Sequence, residues 1–249
     1  MIIFVSATDA KDIYLNSGYL SNLGKEEKRL RLVNSPGNDI INVYRHGFLE
    51  WTDHDKTTIH EYIRRLKDLD DGLGVTCIWK FIKLDHRLEW GYPQTINDCI
   101  VISNRLLQKI NSREVIATLV HEQIHVQQRR YPDWFRKLYH SWGFRQTSSI
   151  RIPQEIHDEL LTNPDGMSRN WIIYIDSKWY LPLAKANHQL VLGQLEHHGG
   201  KFTLIGLSED QLLIKKYLSL LPVHRQAYHP NEISAHYLTS MLCDRGYFE

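Results

Sequence analysis

The chain has 249 residues, 42% hydrophobic and 24% charged, the balance of an ordinary globular protein with enough material for one substantial core. A net charge of +1 excludes a global field for gripping nucleic acid or anionic lipid, and 7 Trp with 13 Tyr argue against disorder. Three widely spaced cysteines, Cys77, Cys99 and Cys243, exclude a disulfide framework and a C-x-x-C zinc site and fit a reducing compartment.

Taken in chain order, Met1-Ile2-Ile3-Phe4-Val5-Ser6-Ala7 is apolar for too few residues to be a signal peptide, and no stretch approaches the length of a membrane span. A cytoplasmic protein without a membrane partner is expected. Residues 2–7 read as a short buried strand, Asp9 to Gly37 has too little periodicity to assign, and Ile40 to Tyr44 reads as a second strand. Asp53 or Asp55 then caps a helix in which Ile59, Ile63, Leu66 and Leu69 recur until Asp71-Gly72. Val75 to Ile82 and Cys99 to Ile102 are β-branched and aromatic runs separated by the turn-rich Gly91-Tyr92-Pro93, so both are predicted strands. The second strand can flank a cleft and offer its edge to an extended peptide.

Asn111-Ser112-Arg113-Glu114 reads as a helix N-cap, and Val115, Ile116, Leu119 and Val120 give an apolar stripe leading into His121-Glu122-Gln123-Ile124-His125. This is an H-E-x-x-H pattern. At 3.6 residues per turn the two imidazoles share a face and can reach one metal ion, with the Glu122 carboxylate beside them as a general base. Two histidines and an adjacent carboxylate are half of a catalytic zinc site, which then requires a third protein ligand and an open position for water. The helix is predicted to stop near Tyr131-Pro132, with Asp133 capping a second helix whose stripe is Trp134, Leu138 and Trp142, ended by Gly143.

From Thr162 to Leu207 the chain is β-rich, with runs at Trp171 to Ile175, Trp179 to Leu183, Leu190 to Leu195 and Phe202 to Ile205, the first two forming a hairpin. Ser208-Glu209-Asp210-Gln211 reads as a capping box for a helix carrying Leu212, Leu213, Tyr217 and Leu220. A final helix begins near Asn231 and carries Ile233, Tyr237, Leu238 and Met241 before Gly246.

With His121, Glu122 and His125 placed, the chain resembles the zincin metallopeptidases, and Asn231-Glu232-Ile233-Ser234-Ala235-His236 is similar to the ligand helix of the gluzincins among them. More loosely it looks like H-E-x-x-H proteins encoded by large DNA viruses, which would place it in a host cytoplasm or a virion. The resemblance implies an α+β, zincin-like fold: one domain over residues 1–249, a mixed sheet packed on an active-site helix, an inserted β-rich region and a helical C-terminal part. It implies a zinc metallopeptidase acting on protein or peptide substrates, with one Zn²⁺ per chain held by His121, His125 and Glu232. Glu122 would be the catalytic base, with Tyr228, His224, His229 and His236 as candidate oxyanion or supporting groups.

Two departures stand out: Glu232 lies 107 residues after His125, a longer gap than in the thermolysin-like pattern, and His236 stands where that pattern has an aspartate. Glu155 and His157 are rival third ligands. Two other function classes remain open. One is a zinc-binding interaction protein, against which the presence of Glu122 argues. The other is a nucleic-acid-associated protease of the SprT-like kind, against which the lack of any C-x-x-C pair argues.

Overall fold

The computed structural model describes residues 1–32, 39–66, 78–108 and 112–244. Within these the protein is a mixed α+β structure with curled mixed sheets. Contacts divide it into two compact units: residues 1–20, 31–130 and 238–249 form the first, and 21–30 with 131–237 the second. None of the described helices is long and apolar enough to cross a membrane.

The first unit is built on a four-stranded sheet of order β1-β2-β4-β3, with β1 (Ile2–Phe4), β2 (Trp79–Leu84), β3 (Gln94–Ile96) and β4 (Cys99–Ser103). The first three in that order run parallel and β3 is antiparallel to β4. Cys99 to Ser103 is therefore interior, and the edge beside it is β3. The sequence reading missed β3 because it is only three residues long, although Asn97 at φ 53° in the turn before Cys99 marks a tight hairpin.

Ser6 ends β1 by capping helix α1 (Ala7–Leu15), its hydroxyl accepting from the Asp9 amide at 3.1 Å. The unassigned stretch after Asp9 thus contains the rest of α1 and then α2 (Lys25–Arg31), whose short runs carry too few turns to show a period. Ile40 to Tyr44, read as a strand, is helix α3 (Ile40–Arg45). Its β-branched composition is overridden by the burial of Ile40 and Tyr44, one turn apart on the same face.

Helix α4 (Asp53–Arg64) is capped by Thr52 rather than by either aspartate. Asp55 instead completes a reciprocal capping box and receives Lys83 Nζ of β2 at 2.6 Å. The expected positions Leu69, Asp71-Gly72, Val75 to Cys77, Asn111 and Gly246 lie outside the described residues.

Helix α5 (Ser112–Arg130) follows β4 and packs on β3 and β4. Val115, Ile116, Leu119, Val120 and Ile124 are buried, which accounts for its formation, but so are Glu122, Gln123, His125, Gln127 and Gln128. Burying so many polar side chains on one helix is costly unless each meets a partner.

In the second unit, α6 (Pro132–Ser141) begins with proline at its first position, where a missing N–H costs nothing. Its buried residues are Phe135 and Tyr139, while Trp134 is 50% exposed, so the core stripe sits one residue on from the predicted Trp134–Leu138–Trp142. Gly143, at φ 91°, ends the helix as expected.

A six-stranded sheet follows, of order β5-β7-β8-β9-β10-β6, from β5 (Phe144–Gln146), β6 (Ile150–Arg151), β7 (Trp171–Ile175), β8 (Lys178–Ala184), β9 (Leu190–His198) and β10 (Lys201–Ser208). Its core is Leu160, Ile172, Leu181, Leu183, Val191, Leu195 and Leu204. The β7–β8 hairpin turns at Asp176-Ser177, φ 49° and 63°, as its sequence signals. Helix α7 (Gln154–His157) is a single turn, α8 (Gln211–Leu218) is capped by Asp210 rather than Ser208, and α9 (Pro230–Asp244) is the final helix. The unit boundary falls inside α9, between Tyr237 and Leu238.

Burial opposes ionisation of Asp55, but Lys83 and the Thr52 donors outweigh it and hold the carboxyl below its ordinary value. A depressed folded pKa contributes stability above the unfolded carboxyl value of about 3.9 that is lost as pH falls through the folded value. Asp55→Ala strands the Lys83 ammonium, and chemical denaturation at neutral pH is expected to show a loss of about 3–5 kcal/mol. Asp55→Leu combined with Lys83→Met is expected to lose much less.

Candidate metal centre

The two histidines of the motif occupy successive turns of α5, and their Nε2 atoms lie 3.1 Å apart. His125 Nδ1 is 2.9 Å from Gln128 Oε1, an atom that only accepts, so the ring proton is on Nδ1 and Nε2 presents a lone pair. Two nitrogens each about 2.05 Å from one tetrahedral ion are separated by about 3.3 Å, so this pair fits a shared cation with little movement. Gln128 is a partner that the sequence reading missed, and its signal is spacing, since it stands three residues after His125 on the same helix.

Glu122 is buried, and the Thr95 hydroxyl of β3 lies 2.8 Å from Glu122 Oε2 and 3.0 Å from its main-chain oxygen. Arg129, one turn after His125, donates to the Thr95 carbonyl and to the His125 carbonyl, each at 3.0 Å. The strand edge and the motif helix are thereby bonded through the Thr95 hydroxyl and through Arg129, and Thr95 carries no short-range sequence signal.

In the second unit the first turn of α9 has its own polar surroundings. Asn163 Nδ2 donates to Glu232 Oε1 and, at 3.2 Å, to the Tyr228 hydroxyl, while Asn163 Oδ1 accepts from the Asp165 amide at 2.9 Å. Asn231 donates through Nδ2 to the Asp165 carbonyl and accepts from the Tyr139 hydroxyl at 2.9 Å. Burial pushes the Tyr139 phenol up, against the lowering effect of Ser234 and with some help from the Glu232 charge, so it stays a neutral donor. The segment Asn163-Pro164-Asp165-Gly166 was legible as a turn but not as the clamp that orients Glu232.

The remaining candidates are dispersed. His229 accepts from the Asn231 amide at Nδ1 and reaches the Ser168 carbonyl through Nε2, both at 3.1 Å, so both ring nitrogens serve the backbone. His224 is exposed, and His236 Nε2 lies 3.3 Å from Gln226 Oε1. Glu155 is exposed on the single-turn α7. His157, on the same turn, has its pKa lowered by burial and by Arg169. Neither a family model nor a curated protein nor a solved structure matches the chain.

Gly166 packs against the His229 ring so closely that an added Cβ would come within 2.7 Å of it. Gly166→Ala is therefore expected to displace the ring and cost about 1–3 kcal/mol of stability, measured by denaturant unfolding. An unchanged midpoint would mean that the turn and ring adjust freely.

Proposed function

We propose that the protein is a zinc-dependent metallopeptidase, zincin-like and specifically gluzincin-like, in which His121, His125 and Glu232 hold the metal. The observation that carries this reading is the pair of imidazole Nε2 atoms 3.1 Å apart on α5, with Glu122 beside them and bonded to Thr95. Two imidazoles and a carboxylate are a donor set suited to a metal ion, and nitrogen donors favour zinc over calcium or magnesium. When bound, zinc supplies Lewis acidity and lowers the pKa of a water toward neutrality.

The remaining chemistry belongs to the chain. Glu122 takes the proton of the attacking water and returns it to the leaving amine of a peptide substrate. Thr95, donating to Oε2, fixes the orientation of that carboxylate. Gln128 keeps the His125 proton on Nδ1, and Asn163 aims the Glu232 carboxylate. Tyr228, whose hydroxyl accepts from Asn163, takes the role of oxyanion donor.

Metal analysis after purification without chelator is expected to find about one zinc per chain. No zinc, even after reconstitution, overturns the reading. Glu122→Gln is expected to keep zinc and fold and to lose peptide hydrolysis by about a hundredfold or more, and equal turnover would assign Glu122 another role.

The choice of third ligand has its own test. Glu232→Ala is expected to weaken zinc binding by about ten- to a hundredfold or more, while His157→Ala leaves it unchanged. The reverse pattern would replace the gluzincin-like set by three histidines.

A further inference from the structure

Before β3 the backbone takes three consecutive left-handed residues, Glu89, Trp90 and Gly91, at φ 49°, 53° and 74°. Only the last is a residue that adopts this conformation readily. A left-handed Glu and Trp persist only where their surroundings over-determine them.

The surroundings of Glu89 do so. Its buried carboxylate accepts from the Tyr44 hydroxyl, from the Tyr14 hydroxyl at 3.3 Å, and from Arg31 through Nη2 at 3.1 Å and Nε at 3.4 Å. Arg31 also donates to the Tyr19 hydroxyl at 2.7 Å, and its guanidinium lies 5.0 Å from the Trp90 ring centroid. Burial, reinforced by the Glu89 charge, pushes the Tyr14 and Tyr44 phenols far up, so both remain protonated donors.

The cluster continues into the edge strand, because Gln94 Nε2 donates to the Tyr14 hydroxyl at 2.6 Å. Successive side chains on a strand point to opposite faces, so Gln94 and Thr95 reach in opposite directions. Gln94 is bonded to the tyrosine cluster, and Thr95 to Glu122 of α5. An edge strand of three residues, paired on one side only with β4, has little ladder of its own to fix it.

We propose that Glu89, Tyr14 and Gln94 are positioning residues that pin β3 from the face opposite α5 and so hold the Thr95 hydroxyl on Glu122. The inference rests on the peptidase reading for its catalytic consequence, since a misplacement of about 1 Å around a working general base costs up to about a hundredfold in rate. Its structural content, that the cluster holds β3 against α5, is separate from that reading.

The test uses the full chain and two variants, Gln94→Leu and the milder Tyr14→Phe, which removes one hydroxyl and keeps the fold if the first does not. Amide hydrogen exchange is expected to speed up about tenfold at residues 94–96 and 121–123, with the global unfolding midpoint nearly unchanged. On a peptide substrate kcat is expected to fall about tenfold with KM and zinc content unchanged. Thr95→Val is expected to give the same fall, and the double variant Gln94→Leu/Thr95→Val no more than either alone.

Exchange at 94–96 and 121–123 that stays at the wild-type rate, or losses that multiply in the double variant, would overturn the proposal. A wild type that cleaves no peptide overturns the peptidase reading alone, and the exchange measurement still decides whether the cluster holds β3 to α5.

Discussion

The constraint on which the rest of the first unit turns is the burial of a polar helix segment. From Glu122 to Gln128 every residue of α5 is buried, and only Ile124 and Val126 among them are apolar. Such a segment is stabilised where its neighbours supply hydrogen bonds, as they do for Glu122, His125 and Gln128, whereas both side-chain polar atoms of Gln127 and Oε1 of Gln123 are buried without a partner among the described residues. Thr95 serves Glu122, Gln128 serves His125, and Arg129 ties the helix to the strand edge. Beside these bonds the two imidazole Nε2 atoms lie 3.1 Å apart, so the His125 ring and the Glu122 carboxylate are each held in one orientation by a neighbour.

Glu232 meets the same constraint by another route. A buried carboxylate at a helix start benefits from the helix dipole, but the dipole does not aim it. Asn163 provides the aim, and the turn that carries Asn163 is itself fixed by Asn231 on the Asp165 carbonyl and by Gly166 against the His229 ring. Carboxylate, turn and helix start each supply a group that another needs. The Asn231-Glu232 pair noticed in the sequence thus has a physical basis, with the asparagine clamping the turn and the glutamate being held by it.

What was legible in the sequence was whatever repeats locally. The i, i+4 histidines, the α5 apolar stripe, the β7–β8 hairpin and the final helix all depend on spacings of a few residues, and all have counterparts in the structure. Where local composition and tertiary burial disagree, burial wins, as at Ile40 to Tyr44, whose β-branched run folds as helix because Ile40 and Tyr44 share one buried face. The partners of the candidate site were illegible for a different reason. Thr95 stands 27 residues before Glu122, and Asn163 stands 69 before Glu232, so no periodicity connects them. A short edge strand such as β3 leaves almost no pattern of its own.

The placement of strain points the same way. Left-handed glutamate and tryptophan at 89 and 90 each cost about 1–2 kcal/mol relative to glycine-like freedom, and the several donors on Glu89 are of the right size to offset that. A fold that needed only to connect β2 to β3 would use glycine or asparagine there and avoid the cost. Instead the chain places a carboxylate where the strain turns it inward, and the cluster it gathers ends on Gln94, next to the residue that bonds Glu122. Strain retained at that point, rather than relieved by an easier residue, is the pattern expected where position matters more than stability.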